Sequence, residues 1–143
     1  MVNKEYQIIA RNYELAGRAS SDIKRTLKAL SIDSYYIKRV CSASYEAEIN
    51  IVIHSVGGYA IFQLDERQVI LEFFDDGPGI FDIPLAMTEG YSTATEQDHS
   101  NGFGAGMGLS NIKRSSDIME IDSKPDGTHL KLTFFMDGEH HES

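Results

Sequence analysis

Three groups of residues in this 143-residue chain have the types and spacing to do chemistry. The first is Glu46, Asn50 and His54, which follow one another at i, i+4 and i+8. From Tyr36 to Ile53 the surrounding pattern is apolar on most of a helix's circumference, and a helix apolar all round is a buried one. The three residues then form a single polar line along it. Such groups must find partners or cost several kcal/mol. Either they bond to neighbouring backbone or buried water, or the line faces a ligand. Glu48 points away from the line and fits neither account.

The second group is Asp75, where the run from Val69 to Phe74 ends in Asp75-Asp76-Gly77-Pro78-Gly79. Val69, Leu71 and Phe73 alternate with Ile70 and Phe74, which describes a buried strand. Taken alone, the sequence after it is an ordinary Asp-Gly-Pro-Gly turn. A carboxylate at a strand end is also where an open sheet places its ligand chemistry. The third group is Gly102-Phe103-Gly104-Ala105-Gly106-Met107-Gly108-Leu109, alternate glycines running into a helix over Ser110–Ser116. Missing side chains let backbone N–H groups approach an anion, and the helix N-terminus adds its dipole. No Gly-Lys-Ser/Thr follows, and no strand directly precedes, so this is neither a Walker A loop nor a Rossmann turn. By itself the run also suits a flexible hinge.

The elements that must position these groups follow from periodicity and punctuation. Glu5–Tyr13 opens as a strand suited to a sheet edge. Ser20-Ser21-Asp22 offers a helix cap, and Ile23, Leu27 and Leu30 carry a first helix over Ser21–Leu30. Asp33 or Ser34 caps the long second helix, which runs to about Ser55 and ends at Gly57-Gly58. Tyr59–Leu64 and Val69–Phe74 form strands, and Asp82–Met87 a short helix capped by Asp82. Gly90–Asn101 is a polar stretch without periodicity, long enough to serve as a lid. Ile118–Ile121 and His129–Met136 are the last strands, joined through Pro125-Asp126-Gly127.

Composition excludes several classes. The length and the 41% hydrophobic and 24% charged fractions are those of one globular domain, over residues 1–136, with a frayed polar tail over 137–143. Its paired His140-His141 read as an exposed terminus. A net charge of −9 argues against a nucleic-acid-binding surface, and Lys113-Arg114 is too short to reverse that. No stretch approaches the ~18 apolar residues of a membrane span. Met1–Glu5 lacks the basic start and apolar core of a signal peptide, and the single Cys41 suits a small buried hydrophobe. The expected compartment is the cytoplasm.

Taken together, the three groups resemble the GHKL superfamily, the ATP-binding domains of DNA gyrase, histidine kinases, the MutL repair proteins and a heat-shock chaperone. The likeness spans roughly Asp33 to Met136, with the motifs in order. It implies an α/β domain of the α+β two-layer kind: a mixed, mostly antiparallel sheet with helices on one face, the Bergerat fold. By resemblance Glu46 and Asn50 look like the family's N-box, Glu46 as general base and Asn50 as the magnesium ligand; His54 is similar to a residue one turn on, with a structural role. Asp75 looks like the adenine-reading carboxylate, Gly77 and Gly79 let backbone pass the base, and Thr128 matches a hydroxyl behind the adenine site. Gly102, Gly104, Gly106 and Gly108, with Leu109, match the glycine box over the phosphates.

Within the superfamily, neither a histidine-bearing helix pair before the ATP domain nor a transducer domain after it is expected, which argues against a complete sensor histidine kinase. The small, free-standing members are the anti-sigma-factor serine kinases and the switch kinases of bacterial stress signalling, and Glu89-Gly90-Tyr91-Ser92-Thr93 with the run from Gly102 to Asp117 looks most like the switch-kinase branch. The resemblance implies an ATP- and Mg2+-dependent serine/threonine kinase in signal transduction and transcription regulation. Its substrate would be a Ser or Thr of a STAS-domain partner. The alternative is a nucleotide-dependent module that sequesters a sigma factor or other regulator. A homodimer is compatible with either. One departure stands out: Gly90–Asn101 contains no Lys or Arg. Lys113, Arg114 or the partner must then supply positive charge to the transferring phosphoryl group.

Overall fold

The computed structural model describes residues 1–76, 108–124 and 127–136. In chain order these form β1 (Val2–Ile8), α1 (Arg18–Ala29), α2 (Ser34–His54), β2 (Gly58–Leu64), β3 (Gln68–Asp75), α3 (Gly108–Ser115), β4 (Ile118–Lys124) and β5 (Gly127–Phe135). The five strands make one sheet in the order β1-β2-β3-β5-β4. Every described pairing is antiparallel, so the expected mixed sheet is here uniformly antiparallel.

Period-two alternation gives the sheet one core face. Ala60, Phe62 and Leu64 of β2, Val69, Leu71 and Phe73 of β3, and Leu130, Leu132 and Phe134 of β5 are all buried. They join Ile23 and Leu27 of α1, Val40, Ala43, Ala47 and Ile51 of α2, and Leu109 and Ile112 of α3 in one cluster. This is an α+β arrangement of two layers. Helix α2 is the central one: Asp33 caps it by accepting from Tyr35 N–H at 2.9 Å. Its far flank is pinned where Arg39 donates to the Ser115 carbonyl and to Asp117 at 2.9 and 3.1 Å. No helix among the described residues is long and apolar enough to cross a membrane.

Two expectations shift. The first strand is Val2–Ile8 rather than Glu5–Tyr13. Lys4 occupies an inward position, opposite Phe62, and reaches Asp22 and Thr26 at 3.1 and 3.0 Å, which hides the alternation from a hydropathy pattern. Past Ile8 the chain turns, with Arg11 at φ 61°, its N–H bonded to the Val52 carbonyl at 2.8 Å. Helix α1 begins at Arg18, not Ser21, behind a left-handed Gly17 that offers no side-chain cap. The other helices and strands that lie among the described residues agree with expectation to within a few residues at their ends. The expected helix Asp82–Met87, the stretch Gly90–Asn101, the turn at Pro125-Asp126 and the tail 137–143 lie outside the described residues.

Candidate functional site

Helix α2 carries Glu46 and Asn50 on its accessible stripe. Residues on its other sides, among them Val40, Ala43, Ala47, Ile49 and Ile51, are buried, whereas Glu46 and Asn50 are half-buried. Among the described residues neither side chain is hydrogen-bonded. The polar line is therefore not consumed by neighbouring backbone. Burial of the Glu46 carboxyl raises its pKa, which moves it toward the range of a working proton acceptor. His54 ends the helix; its side chain lies outside the described residues.

Glu48 has its account in the structure. It is 2% exposed and points into the α1–α2 interface. One carboxylate oxygen accepts from the N–H groups of Gly17 and Ala19 at 2.9 and 3.2 Å. The other accepts from the N–H and hydroxyl of Ser20 at 3.0 and 2.8 Å. A helix N-terminus leaves such N–H groups without intrahelical partners and carries a positive dipole end. Glu48 supplies from a neighbouring helix the cap that Gly17 lacks, and Ser20 also bonds Ser44 at 3.0 Å. A helix-terminus cap from 28 to 31 residues away leaves no local sequence signature; only the misfit of Glu48 with its own helix marked it.

Asp75 closes β3, half-buried, opposite Thr128 of β5 on one side and Gly58 of β2 on the other. The structure thus brings together the two side chains expected at the adenine end. Two glycines permit this. A Cβ on Gly58 would lie 2.0 Å from the Phe74 carbonyl oxygen and 2.9 Å from Asp75 Cα; one on Gly127 would lie 2.6 Å from the Asp75 carbonyl oxygen. Gly57, at φ 123°, accepts the Asp76 N–H at 3.0 Å, tying the strand end to the exit of α2. Sequence reasoning saw Gly57 and Gly58 only as a helix stop.

Helix α3 starts at Gly108, and Leu109 and Ile112 bury against α2 in the shared core. The end of the glycine run is thereby set beside the helix that bears Glu46 and Asn50. Gly77, Gly79, Gly102, Gly104 and Gly106 lie outside the described residues. Cys41 packs against the core, and burial pushes its thiol pKa up, as suits a small hydrophobe. Among the described residues no cluster of His, Cys, Asp and Glu forms a metal cage. A magnesium ion needs none, since one carboxamide oxygen with waters and phosphates completes its octahedron. Asn50, accessible and without a protein partner among the described residues, fits that donor set.

No family model matches the chain. The anti-sigma F factor of Caldanaerobacter subterraneus subsp. tengcongensis is 31% identical over 107 residues, covering 70% of this chain and 71% of that protein. The likeness extends over most of both proteins. The chain belongs to the anti-sigma-factor family of the GHKL superfamily.

Proposed function

We propose that the protein is an ATP- and Mg2+-dependent serine/threonine kinase that regulates a partner by switching its binding, with a STAS-type protein as phosphoacceptor. The observation that carries this is the Glu46–Asn50 pair, without a hydrogen bond among the described residues, on the accessible stripe of a helix whose other sides are buried, with burial raising the Glu46 pKa. Glu46 takes the proton of the acceptor hydroxyl as that oxygen attacks. Asn50 offers its side-chain carbonyl to magnesium, which when bound neutralises charge on the phosphates. Asp75, as an ionised carboxylate, accepts the exocyclic amino hydrogen of adenine, with the Thr128 hydroxyl opposite it. The missing cation in Gly90–Asn101 falls to Lys113, Arg114 or the partner.

Glu46→Ala should keep ATP binding by calorimetry and lose phosphate transfer to a STAS-domain protein by about a hundredfold or more. Full transfer by this variant would remove Glu46 from the base role. Asp75→Asn should abolish ADP and ATP binding, and unchanged affinity would end the nucleotide reading. The printed name of the relative favours a second reading, a nucleotide-dependent module that sequesters a sigma factor with little turnover. Nucleotide-dependent capture of a sigma factor by wild type, without transfer to any STAS protein, would select it.

A further inference from the structure

Helix α3 is eight residues long, and a helix that short is marginal on its own and holds its place by tertiary contact. Leu109 and Ile112 give it an apolar side in the core shared with α2. Hydrophobic contact is non-directional, so it sets the distance between two helices better than their axial register. The directional contacts lie at the C-terminus of α3. Arg39 of α2 donates from Nε to the Ser115 carbonyl at 2.9 Å and from Nη2 to Asp117 Oδ1 at 3.1 Å. Asp117 Oδ2 accepts the Phe135 N–H at 2.7 Å, and the Asp117 N–H donates to the Thr133 carbonyl at 2.9 Å. Arg39 also lies over the Tyr35 ring, 5.4 Å from its centroid. One guanidinium thus ties the end of α3 to α2 directly, and through Asp117 to the end of β5. A cation there also meets the negative end of the α3 dipole.

Strand pairing fixes which way α3 runs. Strand β4 begins at Ile118, paired with Thr133 near the end of β5, whereas Asp75 pairs with Thr128 near the start of β5. Helix α3 therefore ends at the end of the sheet remote from Asp75. Helix α2 exits toward Asp75, because Gly57 behind it accepts the Asp76 N–H. The two helices are antiparallel, with Arg39 and Ser115 at one level. From that level, at ~1.5 Å per residue, the eight residues of α3 reach back to Gly108, and eight residues of α2 counted from Arg39 reach Glu46. The start of α3, where a helix turns N–H groups and its positive dipole end outward, is thus set about level with Glu46. We propose that Arg39 is a positioning residue for phosphate binding: its fork fixes the axial register of α3, and so the height of that helix start beside Glu46. This rests on the nucleotide-binding reading and adds to it a residue outside the expected motifs. The planar fork is what the task requires, since a lysine ammonium can neither hold both acceptors in fixed geometry nor stack as well on Tyr35.

The test compares the full chain with Arg39→Lys, which keeps the charge, and with Asp22→Asn, which breaks bonds at the join of α1 and β1 instead. ADP with Mg2+ is titrated by calorimetry, and adenosine by NMR. Arg39→Lys should bind ADP about tenfold more weakly than wild type and adenosine within about twofold of it. Asp22→Asn should keep both affinities within about twofold, although it too loses stability. Amide exchange over residues 112–115 should quicken about tenfold in Arg39→Lys, with α1 unchanged. Equal losses of ADP and adenosine would make Arg39 a general support, and full ADP affinity in Arg39→Lys would remove it from phosphate binding; either result overturns the proposal. So would a loss of ADP affinity in Asp22→Asn as large as that in Arg39→Lys. Absent ADP binding in wild type strikes the nucleotide reading. Unchanged exchange over residues 112–115 in Arg39→Lys strikes the hold of Arg39 on α3, whether or not nucleotide binds.

Discussion

At the scale of single residues, two glutamates two positions apart on α2 have opposite tasks. Glu48 is buried with its bonds satisfied, and Glu46 is half-buried with none among the described residues. Glu48→Ala leaves three N–H groups of the α1 start without acceptor, which should cost about 3 kcal/mol or more in chemical denaturation. Glu48→Gln keeps the volume and one oxygen and should lose ~1–2 kcal/mol. A loss under about 0.5 kcal/mol for Glu48→Ala would show that water replaces the carboxylate there. Glu46 should behave the other way. Its folded-state pKa is raised by burial, so the ionised form is the disfavoured one. The stability it permits is fully present below the unfolded carboxylate pKa and is lost as pH rises through the folded one. Glu46→Gln should therefore stabilise the protein at pH 7 and lose that advantage below about pH 4. The same substitution should stop phosphate transfer, which is the signature of a group held for function.

At the scale of elements, the end of β3 depends on its neighbours' backbones. Gly58 and Gly127 crowd the Phe74–Asp75 carbonyls from either side, and the obstacle in each case is main chain, which cannot swing away. Gly58→Ala should open the β2–β3 pairing at Asp75, cost about 2–3 kcal/mol and weaken ADP binding more than that loss alone explains. An alanine variant with wild-type melting temperature and ADP affinity would refute the close approach. The second half of this prediction was not legible in the chain. Gly57-Gly58 reads as a helix stop, which it is, but its steric duty to β3 arises only in the folded register. Glu48 and Lys4 escaped for the same reason: their partners are 28–31 and 18–22 residues distant and include backbone or inward-facing polar groups that no hydropathy pattern displays. By contrast the Glu46–Asn50 line was legible because a helix repeats with its own local period. The core faces of β2, β3 and β5 were legible because alternation is local too.

At the scale of the whole molecule, the two layers are joined at the β1 edge by a cluster of ionisable groups as well as by hydrocarbon. Asp22 of α1 accepts from the Tyr6 hydroxyl at 2.6 Å, from Arg25 at 2.9 Å and from Lys4 at 3.1 Å. Those bonds, Tyr6 first, hold the Asp22 carboxyl well below the usual carboxylate range. Burial, then the bond to Asp22, pushes the Tyr6 phenol above its ordinary range. The signs are opposite. Asp22 adds stability that is present above its unfolded pKa of about 4 and is lost as pH falls below it. Neutral Tyr6 adds stability that is present below about pH 10 and is lost as pH rises beyond it. The join between α1 and the sheet edge should thus be firmest across the whole neutral range and give way at both ends. Asp22→Asn should lower stability at pH 7 by ~1–2 kcal/mol, reduced from a fully buried pair because Asp22 retains 26% exposure. It should also flatten the acid limb of the melting temperature against pH, and Tyr6→Phe should flatten the alkaline limb. Acid should therefore free the β1-facing side of α1. Hydrogen exchange at pH 3 should show early loss of protection in β1 before the central strands β2 and β3, and simultaneous loss at both would mean that the sheet parts as one unit.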